Sequence, residues 1–158
     1  MNHSVKVGLC FGMTSAAITT LGLLVGLNSG THSKLAVIGG ILTIAIADAF
    51  SDSLGIHISE ESENKHTRKE IWQSTGATFG AKLFFGMTFL IPFMLIGLDD
   101  AVLASVAWGF AMIAILSFFM AREQKDSVMK AIAEHVGIAA VVVVIANYVG
   151  AWIASALG

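Results

Sequence analysis

Long apolar runs alternate with short polar breaks along this chain, and the length of each run sets its reading. The runs cover 7–27, 35–58, 77–98, 101–121 and 131–157. A hydrocarbon core of about 30 Å is crossed by about 20 apolar residues in a helix. Each run meets that length, so the pattern predicts an all-α polytopic membrane protein, with five transmembrane helices in a single domain over 1–158. The breaks at 28–34 and Asp99–Asp100 predict tight antiparallel hairpins. Pro92 predicts a kink in the third span, because proline cannot donate a backbone hydrogen bond. Only the stretch 59–75 reads as aqueous throughout. The first run outlasts a signal-peptide core and is interrupted by Thr14, Ser15, Thr19 and Thr20, so it reads as a retained helix.

Composition agrees. Of 158 residues, 56% are apolar and 13% charged, against about 25% charged in soluble domains, and the mean hydropathy is +0.80. The charged residues also give an orientation. With the N-terminus in the cytoplasm, Lys6, Lys65, Arg68, Lys69, Arg122, Lys125 and Lys130 fall inside, Lys34 falls outside, and Lys82 lies within the third span. That bias is the one basic residues show in membrane proteins, and five spans then leave the C-terminus outside. No basic run suggests nucleic acid as a partner. With Cys10 the single cysteine, neither an internal disulfide nor a thiolate cluster can form within one chain. No hydrolase, kinase or dinucleotide motif is present, and the pattern is not that of an enzyme. No permanently bound cofactor is expected. Compact loops lean toward a prokaryotic inner membrane.

The candidate chemistry lies inside the second run. Asp48 and Asp52 stand one helical turn apart in LAVIGGILTIAIADAFSDSL, on one face. A carboxylate at such depth costs about 2.5–3.5 kcal/mol on insertion scales and marks a functional-site hypothesis. Ser15, Lys82, Glu134 and His135 come to a similar level on other spans. Asp48, Asp52, Gly55, Ser59 and Glu63 keep to one helical face, and His57, Glu60, Glu61 and His66 add donors just below the span, which suggests a funnel. Carboxylate oxygens suit ferrous iron, manganese or similar divalent cations. Other readings stay open. Asp48 and Asp52 could form a static ion pair with Lys82, and Lys82 could instead snorkel to the interface. The linker glutamates could be a solvated helix end, and Met13 a packing residue.

Three segments resemble the vacuolar iron transporter family. TSAAITTLGLLVGLNSG (14–30) is similar to that family's first-helix pattern SDG-L-T-ALxAGLxG. FSDSLGIHISEES (50–62) is similar to its second-helix pattern LSMAxGEYxSxxS. Residues 72–95 echo its third-helix run of Trp, Ala, Ser, Phe, Gly and Pro. The resemblance implies a homodimer that exports ferrous iron or manganese from the cytosol against protons, using a first-helix aspartate and a second-helix methionine. Here those positions hold Ser15 and Asp52, and the motif glutamate falls on Ile56. The family's glutamate-rich cytoplasmic domain is reduced to a short linker.

The combined expectation is a proton-coupled divalent-metal transporter, in contact with membrane lipid. Asp48, Asp52, Ser15, Met13, Glu60 and Glu63 would serve the metal, and Lys82, Glu134 and His135 the protons or the charge balance. Two rivals are a scaffold that keeps the fold without transport and a proton-coupled carrier of another small solute.

Overall fold

A computed structural model describes residues 2–157, and among them every regular element is an α-helix. The helices are α1 (His3–Thr31), α2 (Lys34–Ser62), α3 (Arg68–Thr88), α4 (Leu90–Leu95), α5 (Leu98–Gln124) and α6 (Val128–Leu157). Five units are long and apolar enough to cross a membrane, with α3 and α4 together forming the third over Arg68–Leu95. The expected kink is a break at Phe89, whose backbone N–H turns back to the carbonyls of Gly86 and Met87. Pro92, four residues after Thr88, has no N–H to offer its carbonyl, so the α-helical ladder stops there.

The helices run past the apolar spans at most ends. The connection between α2 and α3 is only 63–67, because helix continues through both flanks of the polar stretch 59–75. Thr67 caps α3 by accepting from the Glu70 N–H, and Glu70 reaches back to the Thr67 N–H at 2.8 Å. That reciprocal capping box satisfies two otherwise unpaired donors. The α1–α2 turn is equally tight. His32 takes the left-handed conformation (φ 49°), and Ser33 accepts from the Ala36 N–H. Asp99 and Asp100 fall in the first turn of α5, where negative charge suits the helix dipole.

α1 is the central element: it packs against α2, α3, α5 and α6, most extensively against α3 and α6. Small residues permit this. A Cβ on Gly12 would lie 2.7 Å from the Thr78 carbonyl oxygen and 2.9 Å from the Ala81 Cβ, and one on Gly8 would collide with the Ser74 carbonyl. Farther along α1, Gly26 and Gly30 meet Gly150 of α6 backbone to backbone. Glycines at four-residue spacing let helices in lipid approach this closely.

The alternating helices gather 2–6, 60–73 and 122–130 at one end. Asn2 bonds Gln73 there, and Lys6 pairs with Glu123 at 2.5 Å. Lys34 lies at the other end, its Nζ 2.9 Å from the Ile96 carbonyl. The basic residues that the sequence assigns to one side therefore share one end. The apolar core of Leu21, Leu24, Val37, Ile41, Phe89, Phe93 and Met112 fills the opposite half. Outer faces of α2 and α6 expose large apolar side chains, among them Leu54, Val141, Ile145 and Trp152, as lipid-facing helices do.

Gly12→Val is expected to cost about 1–3 kcal/mol by forcing α1 from α3. Gly39→Ala, at a glycine with nothing near its would-be Cβ, is expected to be neutral. Thermal unfolding of both variants in detergent checks this.

Candidate functional site

Asp48 and Asp52 lie on the edge of the α2 stripe that buries Ile41, Ala45, Ala49 and Ser53. They face α3, and Lys82 answers from it. The Lys82 side chain is 1% exposed, while those of Asp48 and Asp52 keep 27% and 20%. Counted from the helix ends that gather beside the 63–67 connection, Ser15, Asp52 and Lys82 sit roughly 15–21 Å along their helices. Lys82 lies about four turns into α3, which begins at Arg68, and its side chain is turned inward. It does not snorkel.

Its ammonium touches four oxygens. Ser15 Oγ lies at 2.6 Å, Asp52 Oδ2 at 2.9 Å, and Asp48 Oδ2 and Thr19 Oγ1 at 3.0 Å. The protons of the neighbours are consistent with this. Ser15 donates its hydroxyl proton to Asp52 Oδ2 at 2.6 Å, and Thr19 donates to the Ser15 carbonyl at 2.9 Å. Both hydroxyls therefore present lone pairs to Nζ, so all four groups meet it as acceptors. Two carboxylates against one ammonium leave the cluster with a net charge of −1.

The remaining candidates are dispersed. Met13 is half-buried on α1; two residues from Ser15, it points to a different side of the helix and is not brought to the pair. Glu60 is buried two turns beyond Asp52 and accepts from Ser74 Oγ at 2.6 Å. Glu63 is exposed, with His66 Nε2 at 3.8 Å. Gly55 and Ser59 turn outward with it, so beyond Asp52 the expected stripe runs onto an exposed face, while Glu60, off that stripe, is the buried acid. Glu134 lies exposed on α6.

His135 serves a different place. It lines a cavity of about 200 Å³ with Thr14, Ile18, Ser117 and Met120. Ser117 Oγ bonds the Ile113 carbonyl at 2.6 Å and lies 2.8 Å from His135 Nδ1. With the single hydroxyl proton given to Ile113, the imidazole donates from Nδ1. Thr14 and Ile18 are turned roughly 100° about α1 from Ser15 and Thr19, which separates this cavity from the carboxylate cluster.

Sequence reasoning missed Thr19. The signal was present, since Ser15 and Thr19 are one turn apart in an apolar helix, but nothing in one sequence says which of four hydroxyls in that run faces α3. Among the described residues, no group of three or more His, Cys, Asp or Glu side chains is placed to hold a metal. Oxygens from two carboxylates and two hydroxyls form a hard-donor cradle in which the lysine ammonium sits. The fold and the cluster together define a class: an all-helical chain with five apolar helices and a buried lysine–dicarboxylate centre. No family model matches the chain, and no curated protein matches it.

Lys82→Met is expected to cost about 3 kcal/mol, because it leaves two carboxylates without their cation. Adding Asp48→Asn and Asp52→Asn to that variant is expected to recover most of the loss. Unfolding midpoints in detergent for the single and triple variants check this.

Proposed function

We propose that this chain is a membrane transporter of a divalent metal cation, ferrous iron or manganese, coupled to proton movement in the opposite direction. The observation that carries the reading is the convergence of four oxygens from α1 and α2 on one cation from α3. Such a cradle holds any compact cation, and the resident one can lose its charge by giving up a proton. Exchange then balances simply. A divalent ion binds the two carboxylates, Lys82 releases one proton and becomes a neutral amine, and the cluster passes from −1 to neutral. With that deprotonation the bound state carries no net charge, the condition a site shut away from water favours. Lys82 is thus a tethered stand-in that keeps the acids compensated between transport events.

Two carboxylates and two hydroxyls leave an octahedral ion two ligands short. Water or a second copy of the chain would supply them, which agrees with the homodimer implied by the resemblance to vacuolar iron transporters. That resemblance also supports export from the cytosol, with the N-terminus inside. Glu60, one buried step nearer the aqueous end, is a waypoint in this reading, and Glu63 a surface attractor. Met13, Glu134 and His135 have no part in it.

The completeness of the Lys82 contacts favours one alternative, a non-transporting scaffold in which the cluster only locks three helices together. Proteoliposomes loaded with an internal pH dye separate the two. The wild type is expected to move ferrous iron or manganese with opposing proton flux, and Asp52→Asn to reduce that flux at least about tenfold, the effect of losing a charged interaction of about 1.4 kcal/mol or more. Flux unchanged in Asp52→Asn would remove the cluster from the pathway, and no flux in a well-folded wild type would favour the scaffold.

A further inference from the structure

Where α2 and α3 emerge toward the 63–67 connection, two cavities adjoin on the outer surface. The one nearer the aqueous end is small, about 140 Å³, and is lined by His57, Glu61, Arg68, Ile71 and Trp72. The other, about 340 Å³, is lined by Phe50, Ser53, Leu54 and Thr75 and shares His57 and Trp72 with the first. From Glu61 to Phe50 the groove descends roughly 16 Å along α2. It passes from charged, through imidazole and indole, to mainly apolar, where the Ser53 and Thr75 hydroxyls are bonded to the Phe50 and Ile71 carbonyls.

Its sides are fixed. Thr75 Oγ1 donates to the Ile71 carbonyl at 2.7 Å and lies 3.0 Å from His57 Nδ1, so the imidazole donates to Thr75. His57 stacks edge-on against Trp72 at 4.7 Å, and Phe50 against Phe79 at 4.9 Å. Trp72 nevertheless stays 66% exposed, and exposed indole rings are enriched at membrane interfaces. At the mouth, Glu61 and Arg68 carry opposite charges into one cavity. Among the described residues neither forms an ion pair within 4.0 Å.

We propose that this groove binds one phospholipid whose headgroup carries both a phosphate and a primary ammonium. The phosphate is taken by the Arg68 guanidinium, which suits it in charge and geometry, and the ammonium by the Glu61 carboxylate. One acyl chain runs inward over Phe50 and Leu54 beside Trp72. Charge complementarity selects this occupant: an anionic headgroup leaves Glu61 opposed, and a quaternary ammonium offers Glu61 no N–H. The site stands apart from the Lys82 cluster, so it does not depend on the transport reading.

The test is native mass spectrometry of the purified full chain in detergent, mixed with equal amounts of phosphatidylethanolamine, phosphatidylglycerol and phosphatidylcholine of the same acyl composition. Phosphatidylethanolamine is expected to be retained above the other two. Arg68→Gln and Glu61→Gln are each expected to lower that retention about tenfold, while Lys69→Gln, an exposed cation outside the cavity, leaves it unchanged. Thermal unfolding matched to the wild type certifies each variant. Phosphatidylglycerol or phosphatidylcholine held as well as phosphatidylethanolamine would overturn the proposal. So would retention unmoved by either substitution at the mouth, or a Lys69→Gln loss equal to that of Arg68→Gln.

Discussion

A lysine ammonium shut away from solvent must find its counter-charge inside the protein, and much of this structure follows from how Lys82 does so. Its four oxygen partners come from α1 and α2, while the lysine belongs to α3. The three helices are thereby fixed in rotation and in depth, since a shift of one residue in any of them would turn a partner away from the cluster. Partial exposure of the two carboxylates alongside a fully buried ammonium also sets a direction: the cluster opens from the α2 side.

Close backbone contact makes that arrangement reachable. Gly8 and Gly12 bring α1 onto α3 with no side chain between them, so Ser15 and Thr19, one and two turns farther along, come within hydrogen-bonding range of Lys82. In the opposite half of the bundle, packing is apolar and centred on Leu21, Leu24, Phe89 and Phe93. The molecule is divided along its length, with polar chemistry toward the end that holds the 63–67 connection and a packed core toward the other. The acids beyond the cluster fit the same plan. Glu60 turns inward to Ser74, and Glu63 remains with solvent.

The number of apolar helices, their order and the grouping of basic residues at one end were all legible, because run length and charge position are one-dimensional properties. The break near Pro92 was legible for the same reason. Helix ends were less so. Polar residues such as Glu60 and Glu61 look aqueous in composition, yet α2 continues through them to Ser62, and α3 begins as early as Arg68 because Thr67 and Glu70 supply its cap. Asp48 and Asp52 stood out because carboxylates are costly in an apolar run, and Lys82 could be named as their partner. Its choice between pairing and snorkelling was not legible, since that turns on the rotation of α3 against α2. Met13 stands away from the pair for a related reason: nearness to Ser15 in sequence is not nearness on a helix.

The functional account rests on one claim, that the Lys82 ammonium holds a place a divalent cation can take, with release of its proton. Proton release on adding manganese to the detergent-purified chain in weak buffer tests this most directly. The account predicts one proton released per ion bound by the wild type, and none by a folded Lys82→Met variant that still binds the ion. Manganese binding without proton release from the wild type, or equal release from Lys82→Met, would contradict it.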